Sequence, residues 1–370
     1  MKRILILSAP IGNGHKMTAA ALAEELRRSY NNIEVFEGDV FSFMPAWVGK
    51  CFMFVYLKVL AWCPWLYGLI YGMGGTKAGQ KPNAAQDLWL REMLNSSLLY
   101  LGRAYLDRIK PDIVLATHAT PLGIMSRYKR EQPIWLGAVV PDYNIHHWWI
   151  CDKVDAYFLA DSRLSSRFPE KTRIEAVGLP LRPGFQDLNA AACREKLGFA
   201  EDTKVVLLMG GGEGLLPMEK LTAKLLEAKL LNTILVLITG NNKQLKTKLE
   251  QCFKAVPSSQ LQIYGYREDV PQLLAAADVL ISKAGAVTAA EALATGIDYI
   301  IYKPLPGQET GNAVFLHQHY GVKIAADEAE LVRLVQEAPA ADLGRKQKSS
   351  AGKSQKSAAQ KICEYVLKDF

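Results

Sequence analysis

Five short stretches of the chain combine residue types that do chemistry. Gly12-Asn13-Gly14-His15 follows an apolar run at positions 4–7. Glycines at such a place let a ligand approach the backbone, and the start of a following helix favours an anion or developing negative charge. An imidazole there has the chemistry of a general base toward a hydroxyl, and equally that of an ordinary structural histidine. Position 17 is Met, so the run is not G-x-G-x-x-G and no dinucleotide fingerprint is read from it. Gly210-Gly211-Gly212-Glu213-Gly214 repeats the arrangement after a second apolar run. It suits phosphate approach as well as a tight strand-to-helix turn, and the missing Gly-Lys-Ser/Thr excludes a P-loop.

The third stretch is Ser282-Lys283-Ala284-Gly285-Ala286-Val287-Thr288-Ala289-Ala290-Glu291. Thr288 and Glu291 have capping-box spacing. The alternative is a phosphate at the helix start, with the Glu291 carboxylate accepting from a ribose diol. The fourth is Pro304-Leu305-Pro306-Gly307-Gln308-Glu309-Thr310-Gly311-Asn312, where Gln308, Glu309 and Asn312 offer two amides and a carboxylate for sugar hydroxyls. A plain Pro-rich turn would also read this way. The fifth is Asp142-Tyr143-Asn144-Ile145-His146-His147-Trp148-Trp149. Adjacent histidines on a strand face opposite ways, and no Cys or Glu spacing supports them, so no metal is expected. There is also no Asp-x-Asp to clamp a metal diphosphate, which favours a leaving group stabilised by backbone dipoles.

Elements that position these stretches follow from the alternation of apolar runs and helical patterns. Strands are expected at 3–8, 33–37, 113–117, 134–140 and 156–160, and helices at about 15–30 and 84–109. After a Pro- and Gly-rich break around 178–184 a second cycle begins. Its strands fall at 204–209, 233–239, 261–264, 279–282 and 299–302, the last of these closing the series. Its helices fall at 216–230, 241–254, 268–276 and 287–295. Each cycle opens with a strand and a glycine turn. The fold class is therefore α/β, with two Rossmann-like domains facing an interdomain cleft and ligands at the carboxyl ends of the strands. With roughly 100–200 residues per domain, 370 residues divide into an N-terminal domain over 1–180, a C-terminal domain over 181–344 and a basic helix or tail over 345–370.

Composition narrows the partners. Charged residues are 22% and hydrophobic ones 49%, which rules out wholesale disorder. The six cysteines are scattered, with no Cys-x-x-Cys pair, so a disulfide framework is not expected. A net charge of +7 is too mild to argue for nucleic acid, and anionic lipid suits it equally well. Arg345, Lys346, Lys348, Lys353, Lys356 and Lys361 lie together without an acid among them, as a solvated stretch or a contact for anionic lipid. Ten of the chain's 34 aromatics, among them Trp47, Phe52, Phe54, Trp62 and Trp65, crowd into residues 41–71. Trp and Tyr favour the membrane interface over its centre, and Pro64 interrupts the apolar run, so docking is expected in preference to spanning. The first residues lack a signal-peptide apolar stretch, so a cytoplasmic start is expected.

These stretches, in this order, resemble the family of processive diacylglycerol glucosyltransferases and monogalactosyldiacylglycerol synthases. Those are GT-B glycosyltransferases, similar to the enzyme that adds N-acetylglucosamine in lipid II synthesis. The resemblance runs over about residues 3–335 and also takes in 178–183 and Gly265-Tyr266. It implies inverting transfer of a hexose from a UDP-sugar to diacylglycerol at the cytoplasmic face of the membrane, without a cofactor or metal. It places the lipid on the N-terminal half and the nucleotide sugar on the C-terminal half. By position it makes His15 and Asp142 the catalytic candidates. Gly14, His146, Trp149 and the aromatic segment go to the acceptor and membrane side. Tyr266 goes to the uracil and Glu291 to the ribose. Gly211, Gly212, Gly214, Gly285 and Thr288 go to the diphosphate, and Gln308, Glu309 and Asn312 to the sugar. Gly210–Gly214, Lys283-Ala284-Gly285 and Gly307–Asn312 resemble the plant-type galactosyl enzymes, and Gly12–His15 and Lys303-Pro304-Leu305-Pro306 the bacterial glucosyl ones, so the hexose stays open between glucose and galactose. The chain departs from both at Ala286-Val287, where a Gly or Pro-Gly is usual. The rival readings are transfer of N-acetylglucosamine to an isoprenoid-linked lipid, a UDP-sugar epimerase with no acceptor, and a non-catalytic lipid or nucleotide binder.

Overall fold

The computed structural model describes residues 1–9, 13–43, 84–185, 188–339 and 356–368. Its chain divides into two compact units. The first comprises Met1–Arg182, Pro306–Gln308 and Lys356–Phe370, and the second Pro183–Leu305 and Glu309–Gln355.

The first unit is built on β1 (Lys2–Ser8), β2 (Ile33–Asp39), β3 (Ile113–Ala116), β4 (Trp135–Val140), β5 (Ala156–Leu159) and β6 (Ile174–Ala176), all parallel, in the order β2-β1-β3-β4-β5-β6. Ile4, Leu5, Ile6 and Leu7 are wholly buried. Such an unbroken apolar run is what a strand covered by helices on both faces requires. Helices α1 (Asn13–Ser29), α2 (Ala84–Ile109) and α3 (Ala119–Tyr128) belong to this unit. Because β1 lies between β2 and β3, Leu7 pairs with both Gly38 and Ala116. The chain after β1 and the chain after β3 therefore leave the sheet side by side.

The second unit repeats the plan with β7 (Lys204–Met209), β8 (Thr233–Ile238), β9 (Leu261–Tyr264), β10 (Val279–Ser282), β11 (Asp298–Tyr302) and β12 (Lys323–Ala325), in the order β12-β11-β10-β7-β8-β9. Its helices are α4 (Ala190–Leu197), α5 (Met218–Glu227), α6 (Lys243–Cys252), α7 (Val270–Ala276), α8 (Ala286–Thr295), α9 (Gln308–Tyr320) and α10 (Glu328–Glu337). Met209 of β7 is opposite Ser282 of β10. The turn at 210–214 and the start of α8 thus emerge together, at the point where strand order reverses and ligands of such sheets bind.

Three expectations are corrected. The strand at 299–302 is not the last: β12 pairs beyond it, and it is only three residues long. Helix α8 begins at Ala286 with Gly285 as its cap and no side-chain cap bond, so Thr288 lies inside the helix and does not cap it. Of the helix or tail expected over 345–370, the far end is a helix, and it is packed rather than solvated. Helix α11 (Ala358–Leu367) buries Ala359, Ile362, Cys363 and Val366 among the strands and α1 of the first unit. Ser357 and Gln360 close a capping box at its start. Among the described residues no helix is long and apolar enough to cross a membrane. Trp47, Phe52, Phe54, Trp62 and Trp65 lie outside the described residues, as do Gly12 and the basic residues from Arg345 to Lys353.

Candidate active site

His15 is the third residue of α1 and is half-buried. Its Nδ1 is 2.6 Å from the Thr117 carbonyl oxygen, which accepts its proton. The Thr117 hydroxyl returns the contact, donating to the His15 carbonyl at 3.1 Å. Thr117 has no exposed surface, and its N–H is held by the Leu7 carbonyl at 2.9 Å. The strand order alone explains this meeting of residues 102 positions apart. With the proton on Nδ1, the other ring nitrogen carries a lone pair, the form in which imidazole takes a proton from a hydroxyl. Burial lowers the His15 pKa to about 4, outweighing the opposing hydrogen bond to Thr117. The ring is neutral at physiological pH.

A second imidazole adjoins it. His118 begins α3, and its Nδ1 accepts the Thr120 N–H at 3.1 Å. Its ring meets that of His15 edge to face, with centroids 4.7 Å apart and planes at 80°. Behind it stands Trp149, buried, with ring centroids 6.5 Å apart. Burial, with the neighbouring His15 and His146 rings, holds the His118 pKa well below its ordinary value. His146 caps the 3-10 turn His147–Trp149 by accepting the Trp148 N–H at 3.2 Å. The rings of His146 and His147 are 4.2 Å apart. Gly14 precedes His15 and is half-buried, and Asp142 lies buried two residues beyond β4.

In the second unit the 210–214 turn is held by Gly214 N–H on the Gly211 carbonyl at 3.1 Å and Asn241 N–H on the Gly212 carbonyl at 2.8 Å. Gly211 has φ +73°, a conformation that favours glycine. Gly211 and Gly212 are half-exposed, while Gly214 is buried beneath them. Next to this turn lies Lys283, its stem 4.0 Å from where a Cβ on Gly211 would stand. The ammonium is paired with Glu309 at 2.9 Å, and both side chains are largely buried. The other Glu309 oxygen accepts the Leu305 N–H at 2.9 Å. Gly285 and Thr288 are half-exposed at the start of α8, whose first N–H groups have no helical acceptors.

The fold thus gathers Gly211, Gly212, Lys283, Gly285, Thr288 and Glu309 at one strand end. Asn312 stands behind that surface. It is buried, with its amide nitrogen donating to the Ala284 carbonyl at 3.1 Å, so it supports the turn into α8. Glu291 is buried on α8. Gln308 opens α9 half-exposed, and Tyr266 follows β9 with 63% of its surface open. Among the described residues no three His, Cys, Asp or Glu side chains converge as metal ligands. Thr117, His118 and the role of Lys283 escaped the sequence reading. The available signal was position: His118 directly follows a strand expected to end at 117, on the edge where sites form.

The model of the Monogalactosyldiacylglycerol (MGDG) synthase family matches residues 15–181. That of the Glycosyltransferase family 28 C-terminal domain matches residues 184–365. The chain is 29% identical over 347 residues to a processive diacylglycerol beta-glucosyltransferase of Bacillus pumilus, spanning 89% of this chain and 84% of that one. Its identity to the protein so named in Bacillus subtilis is 28% over 347 residues, spanning 90% and 86%. Among solved structures it is similar to Acinetobacter baumannii MurG, with a TM-score of 0.62 and 16% identity over all of both chains. It is equally similar to a UDP-glucosyltransferase from Polygonum tinctorium, with a TM-score of 0.62 and 14% identity over 99% and 98%. At those identities the structural likeness speaks to fold, and the fold is the α/β GT-B class.

Proposed function

We infer the chemistry of this chain from its membership of that family of two-domain glycosyltransferases: it moves a hexose from a UDP-sugar to diacylglycerol, forming a glycolipid. The observation that carries the reading of the site is His15, a neutral imidazole held in one tautomer at a strand end.

The lipid hydroxyl oxygen attacks the anomeric carbon while the carbon–oxygen bond to the diphosphate breaks. The bonding pair leaves with UDP, and the hydroxyl proton passes to Nε2 of His15. Configuration inverts in a single displacement. A base of such low basicity takes the proton late, once the oxygen has been acidified by bonding to carbon. Charge on the departing diphosphate falls to the first N–H groups of α8, to the backbone at Gly211 and Gly212, and to the Lys283 ammonium. Lys283 pairs with Glu309, and a bound diphosphate would set its ammonium between two anions. Tyr266 is assigned to the uracil, Glu291 to the ribose, and Gln308 and Glu309 to the sugar hydroxyls. The aromatic residues of 41–71 and the basic residues of 345–361 support peripheral docking on the anionic cytoplasmic face of a membrane.

The deciding experiment measures UDP release with UDP-glucose, UDP-galactose and UDP-N-acetylglucosamine, each with and without diacylglycerol vesicles. Release that needs both one hexose donor and the vesicles supports the reading and names the sugar. Release independent of vesicles with every donor removes diacylglycerol as acceptor.

A further inference from the structure

We propose that His118 is a positioning residue for His15: its ring closes one edge of the His15 site and, together with the Thr117 carbonyl, keeps that imidazole in one orientation and one tautomer. The two rings meet edge to face with centroids 4.7 Å apart, so His118 occupies space that water would otherwise fill. His118 cannot swing away without giving up the Thr120 N–H, because its Nδ1 caps α3. Trp149 stands behind it, and His146 is anchored in the same way by the Trp148 N–H. Each imidazole of the trio is therefore tied to the backbone through one ring nitrogen.

The charge state follows from the same contacts. Nδ1 of His118 accepts a hydrogen bond, so the neutral ring carries its proton on Nε2. Burial, and then the neighbouring His15 and His146 rings, keep His118 neutral. Among the described residues the Thr117 carbonyl and this ring face His15, and His15, His146 and Trp149 are among the groups that face His118. Asp142 lies buried in the β4–β5 connection, which also carries His147, Cys151, Asp152, Lys153 and Asp155. His15 is thus screened from water by a group that brings no charge of its own. Its folded pKa, about 4, lies below the usual 6.5, so the neutral base survives until pH falls through that lower value.

Two kinds of variant separate the ring from the cap. His118→Asn and His118→Gln keep an oxygen for the Thr120 N–H and remove the ring. His118→Phe keeps a ring and removes the acceptor. The His15 ring-proton resonance is followed by NMR against pH in the full-length chain, whose six histidines are few enough to assign. The expected result is a midpoint near 4 in the wild type and in His118→Phe, and a rise of at least one pH unit in the ring-less variants. The acid limb of kcat/KM for UDP release moves by the same amount. A midpoint that stays put in the ring-less variants overturns the proposal, as does one that rises in His118→Phe alone. The rate arm rests on the glycosyl-transfer reading and the titration does not. Wild-type protein without UDP release fails that reading while the titration still decides this one.

Discussion

At the scale of single residues the proposed reaction gives one task to a side chain of each unit. In that proposal His15, held by Thr117, accepts a proton, and Lys283, paired with Glu309, offsets a leaving charge. His15→Ala should lower kcat for UDP release by about 10²–10⁴-fold, the span of a positioned general base. The Kd for UDP, read by calorimetry, should stay within about twofold, because the base contacts the acceptor. A variant that keeps its turnover would remove His15 from the reaction. The pH dependence has a definite sign. A base whose pKa is depressed to about 4 stays active as pH falls through 6.5, so no acid limb from His15 should appear between pH 8 and 5.5. Lys283→Met should lower kcat by about 10²-fold, as loss of one aimed electrostatic group does. Its effect on KM for the donor should be smaller. If KM rises and kcat holds, Lys283 only fixes Glu309 for ground-state binding, and the leaving-group role is lost.

At the scale of elements, the starts of helices and the ends of strands decide what a glycine is for. Gly285 has an ordinary φ of −67°, and a Cβ there would meet only Thr288 Oγ1 at 3.9 Å. Gly285→Ala should leave the melting temperature within about 2 °C, since nothing clashes. A methyl group at the helix start would nevertheless stand where the diphosphate approaches, so UDP affinity should fall about tenfold, or about 1.4 kcal/mol. Gly240 behaves oppositely. Its φ is +63°, and a Cβ would lie 2.5 Å from the Gly212 carbonyl, so Gly240→Ala should destabilise the chain by about 1–3 kcal/mol from backbone strain alone. Equal effects of the two on stability would sink the distinction. Legibility divides along the same lines. The apolar runs of β1, β7 and β10, and the glycine turns after β1 and β7, were readable because each is signalled within a dozen residues. Strands β6 and β12 were not, since three residues at a sheet edge show no periodicity. Thr117 and His118 were hidden for a different reason. They reach His15 only through the order β2-β1-β3, a pairing across more than 100 positions that no local pattern announces. Asn312 was legible as a polar residue near the site, but its turn toward the Ala284 carbonyl follows from packing alone.

At the scale of the whole molecule, two hydrophobic clusters of the described residues share no residue. One gathers Val206, Leu208, Leu235, Ile281 and Ile300 with α5 and α10. The other gathers Ile4, Ile6, Leu22, Ile113 and Phe158 with the last helix, α11, contributed from the opposite end of the sequence. The first unit therefore reaches its full burial only after the second has been synthesised. Ile362, with no exposed surface, is the test point. Its truncation removes three carbons from a packed site, so Ile362→Ala should cost about 2–4 kcal/mol. Because the two cores are separate, that loss should fall on one calorimetric transition and leave the other in place. UDP should do the converse. A ligand bound at the ends of β7 and β10 stabilises the unit that holds it, by about 2.7 kcal/mol at a hundredfold excess over Kd. The substitution and the ligand should thus move different transitions in opposite directions. If both act on a single transition, the two units unfold together.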